Sequence, residues 1–163
     1  MWLCVIVGRM KARFGIFALV LTVILLPCLS EALTFTVKGV AGKVLFQKEV
    51  SSPQGTLGTL SDQTLNDALR THVISQYTGS DAGVASINDM GSAMEVLSDT
   101  DMNAYGWCYS VDGKGSDLMS DQYRLTGAEK SLVWFYVAAE MRGGKWTSMC
   151  TPADHLPKPE DRD

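Results

Sequence analysis

Aromatic residues recur at every second position in one short segment of this chain. The segment reads YGWCYSV from Tyr105 to Val111, and in a strand its aromatic side chains would share one face while Cys108 faces the other way. A second segment, SLVWFYV, adds two further rings if the two strands are in register. Exposed rings on one sheet face would stack on a planar ligand, a sugar ring or an apolar partner surface. The predicted ligand-binding residues are Tyr105, Trp107, Tyr109, Trp134 and Tyr136.

The same rings could instead pack in a core beneath a helix. Large aromatic residues of small domains usually lie in the core, and this favours the core for Trp107. The hydroxyl groups of Tyr105 and Tyr109 suit a hydrated rim as well as the interior. The sequence therefore leaves both arrangements open.

The segment from Met1 to Ala32 has the pattern of a signal peptide. Basic residues precede an unbroken apolar run, Phe14–Leu26, and Ser30 and Ala32 supply the small side chains of a cleavage site. The run is shorter than a membrane-spanning helix, which needs ~20 apolar residues. We therefore predict a secreted or periplasmic protein with no stable membrane insertion after cleavage. A retained anchor is the alternative, and Pro27 before Cys28 disfavours lipoprotein processing.

Length and charge limit the domain count and the partners. Cleavage after Ala32 leaves a chain whose length suits a single domain, predicted to span residues 33–150. The formal charge of −4 becomes more negative without the basic leader, which argues against nucleic acid and anionic lipid as partners. Residues 151–163 hold three prolines among mostly charged residues and are predicted to form a disordered tail. The expected partner is a small molecule or another exported protein.

Two cysteines remain after the leader is removed. They are Cys108 and Cys150, and cysteines in an oxidising compartment usually pair. We therefore predict a disulfide that ties the segment around Cys150 to the strand around Cys108. Two unrelated free thiols are the alternative.

Hydrophobic periodicity predicts an α+β domain. Alternation at residues 33–37 and an apolar segment at 43–50 flank a glycine turn and indicate a hairpin. A helix would follow, with Ser61 as its N-cap, His72 on its inner face and Gly79 at its end. Short strands are expected at 83–88, 105–111 and 145–150, a helical turn at 93–97, and a central strand buried on both faces at 131–139. The predicted order is a hairpin, then a helix, then further strands. This is the order of a β-grasp-like mixed sheet with one main helix packed across it.

Three sequence blocks resemble those of the transcobalamin-like C-terminal domain family, a β-grasp group of exported proteins. They are TLNDAL, YGWCYSVDG and, after a glycine turn, SLVWFY, in the order that the family has. The matching residues are Thr64, Leu65, Asp67, Ala68, Leu69, Gly106, Trp107, Tyr109, Val111, Gly113, Gly127, Val133, Trp134 and Tyr136. Asn66 is inserted in the first block, and Asp112 stands where the family usually has Asn.

The resemblance implies a fold and a class of role. In transcobalamins, this domain closes over cobalamin that a large helical domain holds, and we expect no cofactor for this single domain. Many bacterial relatives are small exported domains or modules of surface proteins. We therefore expect a non-catalytic binding module that holds a small ligand on the aromatic face or an adjoining loop. The alternative is an envelope or surface protein that docks on another protein through a sheet edge.

Other motifs are too incomplete to predict an enzyme or a metal site. Asp99, Asp101 and Asn103 match the start of a calcium-binding loop, but Ala104 replaces its glycine. The segment GKG lacks the spacing of a phosphate-binding loop. His72 is expected to be a packed, hydrogen-bonded residue, and one imidazole cannot form a zinc site alone. We predict no metal site and, without a convergent set of titratable residues, no catalytic site.

Overall fold

The computed structural model describes residues 32–158. The predicted signal peptide up to Glu31 and residues 159–163 of the predicted tail lie outside the described residues. The described chain contains one long helix, α1 (Leu57–Arg70), and a single 3-10 turn at Val40–Gly42. Its strands are β1 (Ala32–Lys38), β2 (Val44–Ser51), β3 (Tyr77–Ser80), β4 (Gly83–Ile87), β5 (Ala93–Val96), β6 (Met102–Val111), β7 (Lys114–Gly115), β8 (Ser131–Arg142) and β9 (Lys145–Pro152). Within residues 32–158, no helix is long and apolar enough to cross a membrane.

The first two strands form the predicted hairpin. They pair antiparallel, with one register shift after Val37. The alternation in β1 buries Leu33, Phe35 and Val37 completely, because every second side chain faces the core. β2 lies at the edge of the sheet and exposes polar side chains such as Lys48. Charged side chains of this kind protect an edge strand from pairing with other chains.

Helix α1 begins earlier than the sequence predicted. Thr56 is the N-cap, and its side chain accepts a hydrogen bond from the backbone N–H of Thr59 at 3.2 Å. Ser61 lies inside the helix, where it is buried and its Oγ donates to the carbonyl oxygen of Leu57 at 2.8 Å. The apolar stripe starts at Leu57 and Leu60, which are both buried. These two leucines therefore extend the core-facing side of the helix by a full turn.

The helix also ends earlier than predicted. Its last residue is Arg70, and the left-handed φ of 57° at His72 prevents a further turn. His72 is exposed, so the expectation of a packed inner-face histidine is wrong. β3, which pairs with β4 in a separate two-stranded sheet, replaces the predicted end of the helix. Residues 93–97 were predicted to be a helical turn, but pairing of Ala93 with Tyr105 in β6 makes the segment a strand.

Seven of the nine strands in residues 32–158 form one mixed sheet. Its main order is β2-β1-β8-β6-β5, with β7 beside β6 and β9 beside β8. β1 and β8 are parallel, and the other pairs are antiparallel. The domain is therefore α+β with a mixed sheet and one main helix. β8 is central, and on its face away from α1 Val133 and Phe135 are half-buried while Val137 is buried, so burial of that face is only partial.

The long connection between β7 and β8 is held against the start of α1. The backbone N–H groups of Leu57 and Gly58 donate to the carbonyl oxygens of Tyr123 and Ser120, both at 2.8 Å. These bonds satisfy donors that have no partner within the first turn of a helix. The buried Oγ of Ser120 also donates to the carbonyl oxygen of Asp81 at 2.8 Å. Helix start, connection and β3–β4 turn thus form one packed unit.

The start of the predicted tail, residues 151–158, packs on the domain. β9 continues to Pro152, and Ala153 beyond it is buried. The backbone N–H of Ala153 donates to the carbonyl oxygen of Tyr136 at 3.0 Å. The carbonyl oxygen of Ala153 accepts from the backbone N–H of Ala41 at 2.8 Å. The predicted disorder is therefore wrong for this segment, because backbone pairing outweighs its proline and charge content.

Candidate functional site

The five predicted ligand-binding residues lie on the sheet face that α1 covers. In the β6–β8 pair, Tyr109 lies opposite Trp134, and Trp107 lies opposite Tyr136. The ring centroids are 5.3 Å apart in the first pair and 5.4 Å apart in the second. Tyr105 stacks on Tyr136 at 6.3 Å. The register that a continuous aromatic stripe requires is therefore present.

These rings form part of the core and not an open platform. The exposed fractions are 5% for Tyr105, 9% for Tyr109, 3% for Trp134 and 1% for Tyr136, while Trp107 is half-buried. Of the two arrangements that the sequence left open, burial is the one observed. Tyr109 and Trp134 pack with residues of α1, whereas Tyr105 and Tyr136 pack with Met90, Ala93 and Ala153. The most exposed ring is that of Trp107, for which the sequence favoured the core. A ligand-binding role for these residues stays a prediction.

Polar ring atoms tie the sheet to the segments that cover it. The contacts run from Trp107 Nε1 to the Met90 carbonyl (2.8 Å), from the Tyr109 hydroxyl to the Leu118 carbonyl (2.6 Å), from Trp134 Nε1 to Ser61 Oγ (2.8 Å) and from the Tyr136 hydroxyl to the Gly91 carbonyl (2.8 Å). Buried polar groups need partners of this kind. The rings therefore fix the positions of α1, of residues 90–91 and of the connection at Leu118.

A chain of titratable side chains lies at the Tyr105 end of the stripe. The Tyr105 hydroxyl is 3.3 Å from Glu95 Oε2 and 3.2 Å from His155 Nε2, and the other ring nitrogen of His155 contacts the Asp154 carboxylate. Burial, followed by the Glu95 carboxylate, raises the pKa of Tyr105, which is the opposite of what an activated nucleophile needs. The hydrogen bond from His155 lowers the pKa of Asp154. These side-chain contacts fasten the C-terminal segment to β5 and β6.

An open cleft lies beside β6, where the sheet has a gap. β5 pairs with residues 102–105 of β6, and β7 pairs with residues 110–111. Among residues 32–158, no strand pairs with residues 106–109 on that side. The cleft has a volume of about 810 Å³. Its walls come from β6, from the β3–β4 turn at Ala82–Val84, from the connection at Gly115–Ser120 and from the end of β9.

Exposed apolar side chains line this cleft. Leu118, Met119 and Met149 are 49%, 57% and 61% exposed. The half-buried rings of Trp107 and Phe135 also line the cleft, from opposite faces of the sheet. Complete burial of one such side chain is favourable by about 1.5–3 kcal/mol. Methionine side chains also adapt to ligands of different shapes. The cleft is therefore suited to a small, largely apolar molecule.

The predicted disulfide is present and belongs to the cleft wall. It joins Cys108 of β6 to Cys150 of β9, with their Cα atoms 6.0 Å apart, and both residues line the cleft. Met149 and Pro152, on either side of Cys150, line it as well. The bridge therefore holds the β9 wall of the cleft against β6.

Two of the three candidate calcium-binding residues, Asp101 and Asn103, have structural roles. Asp101 Oδ1 accepts a hydrogen bond from the backbone N–H of Gly143 at 2.7 Å, and this bond lowers the pKa of Asp101. Asn103 lies in β6, where its side chain bonds to Glu95 and Arg142. Among the described residues, no three His, Cys, Asp or Glu side chains are grouped so that they could hold a metal ion.

Sequence reasoning missed the apolar residues of the cleft. Leu118 and Met119 stand together within the polar segment SDLMSDQ, and Met149 adjoins a cysteine. An apolar pair in a polar connection signals either a buried anchor or a contact surface. In the fold, the neighbouring Ser120 is the buried anchor, which leaves both apolar side chains at the cleft.

Comparison with protein-family models, with curated proteins and with solved structures gives no match.

Proposed function

We propose that this chain is an exported, non-catalytic binding domain whose cleft holds a small, largely apolar molecule. The observation that carries the proposal is the exposure of Leu118, Met119 and Met149 around one cleft beside Trp107. Apolar side chains grouped in this way are stabilised when a ligand removes them from water. The ligand site is thus the loop that adjoins the aromatic strands, with Trp107, Tyr109 and Trp134 contributing from the sheet.

We infer a β-grasp fold and membership of the transcobalamin-like group from topology and sequence blocks together. A hairpin followed by a helix, with β8 placed between β1 and β6 and parallel to β1, supports the β-grasp fold. The block YGWCYSVDG forms β6 and its turn, and SLVWFY forms the start of β8. The pairing of these two blocks in the middle of the sheet supports the assignment.

Export is proposed from the leader and from the disulfide. The segment up to Ala32 has the charge and hydropathy pattern of a signal peptide. The Cys108–Cys150 bridge supports this location, because disulfides persist in oxidising compartments. A secreted or periplasmic domain would meet its ligand outside the cytoplasmic membrane.

Binding is proposed in preference to catalysis because of the cleft's chemistry. Acid–base or nucleophilic catalysis needs titratable groups that converge on one substrate atom. The described lining residues offer the carboxylate of Asp117 and otherwise apolar, hydroxyl and backbone groups. Such a lining fixes and desolvates a ligand without transferring protons to it.

Calorimetric titration with naphthylmethanol, a neutral apolar probe, tests the proposed function. Met119→Glu places a charge among the lining side chains, so we expect probe affinity to fall by roughly fivefold or more. Val73→Glu is the matched control, because Val73 is 54% exposed and lies outside the cleft. Equal losses of probe affinity in Met119→Glu and Val73→Glu would contradict the proposal. Absence of probe binding to the unmodified protein would contradict it as well.

The second candidate function is docking on another exported protein through the β5 edge. Val96, Met102, Met141 and Trp146 lie side by side across four strands. Val96 at the β5 edge is 65% exposed, and Trp146 is 47% exposed. This apolar row favours edge docking. Photo-crosslinking in the exporting cell separates the candidates: a discrete protein adduct from position 96 and none from position 119 would favour the edge.

A further inference from the structure

We propose that the cleft selects ligands whose apolar body carries a positive charge and that it discriminates against anions, an inference that rests on the proposed function. Of the described residues that line the cleft, Asp117 is the only one with a formally charged side chain. That side chain is exposed, so a ligand can approach it without displacing a buried partner. A carboxylate at the edge of an apolar cleft attracts a cation and repels an anion.

The segments that border the cleft have the same sign of charge. Asp81 immediately precedes the wall at Ala82, and Asp121 immediately follows the wall at Ser120. Lys114 lies between two lining glycines and supplies the one basic side chain of these segments. Asp112 immediately precedes the lining Gly113, so with Asp117 the border has four carboxylates against one ammonium group and is net negative. The field of exposed charges extends over about one Debye length, ~10 Å at moderate salt.

The ring donors of the cleft already have acceptors. Trp107 donates to the Met90 carbonyl, Tyr109 donates to the Leu118 carbonyl, and Trp134 donates to Ser61. An anion that entered the cleft would therefore find these N–H and O–H groups occupied. These three groups therefore give an anion no hydrogen bond in exchange for its lost water, a loss that is costly.

The two partly exposed rings of the cleft, one on each face of the sheet, favour a cation. Trp107 and Phe135 are both half-buried and line the cleft. The π face of an aromatic ring attracts a cation through its quadrupole, and tryptophan is the strongest of the aromatic residues in this respect. Ring faces and the Asp117 carboxylate thus act on the charge of a ligand in the same direction.

Three matched naphthalene probes test the charge preference on the purified protein. They carry an ammonium, a hydroxymethyl or a carboxylate group on the same ring system, and calorimetry gives the affinity of each. We expect the order ammonium, alcohol, carboxylate, with roughly tenfold between the first and last. Asp117→Asn should reduce this ratio to within roughly threefold, and raising the salt from about 0.1 M to about 1 M should reduce it similarly. Asp99→Asn, an exposed acid outside the cleft, is the control and should leave the ratio unchanged.

The outcomes separate this inference from the proposed function. Tighter binding of the ammonium probe that depends on Asp117 supports both. Equal binding of all three probes, or an Asp117→Asn variant with an unchanged ratio, overturns the charge preference and leaves the apolar cleft in place. Tighter binding of the carboxylate overturns the charge preference as well. Absence of binding by all three probes overturns the proposed function and this inference together.

Discussion

The indole Nε1 of Trp134 donates a hydrogen bond to Oγ of Ser61 at 2.8 Å, which joins the central strand to the only long helix of residues 32–158. Both residues are buried. Ser61 in turn donates to the carbonyl oxygen of Leu57, so its hydroxyl uses both its donor and an acceptor position. The pair therefore sets the height and rotation of α1 over the sheet.

Ser61→Ala should destabilise the domain, because it leaves the buried Trp134 N–H without an acceptor. We expect a loss of about 1–3 kcal/mol in the free energy of unfolding, offset in part by the higher helix propensity of alanine, worth about 0.5 kcal/mol. Denaturant titration measures the change, and Ser92→Ala at an exposed position is the control. A double-mutant cycle with Trp134→Phe should show coupling. If the changes in unfolding free energy of the two single variants simply add in the double variant, the bond contributes nothing.

Gly58→Ala should be more damaging than its small size suggests. A Cβ at position 58 would lie 1.6 Å from the carbonyl oxygen of Asp81, so the helix start and the β3–β4 turn would have to separate. Overpacking in a folded core costs about 1–3 kcal/mol, and we expect a value at or above the upper end. Gly106→Ala is the control, since a Cβ there meets nothing within 4 Å. Similar unfolding midpoints for the two variants would refute the close contact.

The stability of the domain should depend on the ionised form of Glu129 at acid pH. Burial alone would raise the pKa of Glu129, but hydrogen bonds from Thr126 and Gly127 outweigh it and hold the pKa below its ordinary value of 4.5. A group with a lowered folded pKa stabilises the protein above its unfolded pKa, and this contribution is lost as the pH falls through the folded pKa.

Glu129→Gln isolates this contribution. We expect the variant to be less stable than the unmodified protein by about 2 kcal/mol near pH 7, and the difference to shrink as the pH is lowered through about 4. Unfolding curves at a series of pH values give the difference, with Asp121→Asn as an exposed control. A difference that stays constant down to about pH 3 would show that the carboxylate charge is not the cause.

Removal of the disulfide should weaken both the domain and its cleft. Cys108 and Cys150 are separated by 42 residues, for which loop entropy predicts a loss of about 4 kcal/mol in the Cys108→Ser, Cys150→Ser double variant. Naphthylmethanol affinity should fall as well, because the β9 wall is no longer tied to β6. Thiol titration of the denatured, unreduced protein should detect no thiol from this pair. Full probe affinity in the double variant would show that the bridge does not shape the cleft.

Local patterns in the sequence were enough to predict the main strands of the sheet but not β5 or the cleft. The alternation in Leu33–Val37 and the apolar segment of β8 predict strands, because they reflect burial on one or both faces. Ser61 was misread as an N-cap, because its hydroxyl is used by Trp134, a residue distant in sequence. β5 was misread because Ala93 depends on Tyr105 for its pairing. Interactions between distant segments are not visible in local periodicity.

Among the functional residues, too, local sequence rules predict some features, while contacts between distant segments decide the others. The aromatic stripe and the disulfide were predictable, because strand alternation and cysteine pairing follow simple rules. Whether the stripe was exposed depended on what covers the sheet: α1 packs with Tyr109 and Trp134, and Met90, Ala93 and Ala153 pack with Tyr105 and Tyr136. The exposure of Leu118 and Met119 depends on the anchoring of Ser120 to Asp81, a contact between segments that no sequence pattern relates.

Contacts between a bound probe and the methionine methyl groups test the cleft-binding account most directly. Isotope-labelled methionine methyl groups and unlabelled naphthylmethanol allow intermolecular nuclear Overhauser effects to be assigned to single residues. The account predicts effects to Met119 and Met149, which line the cleft, and none to Met94, which lies on β5 and is 52% exposed. Effects confined to Met94, or to no methionine in a protein that binds the probe, would contradict it.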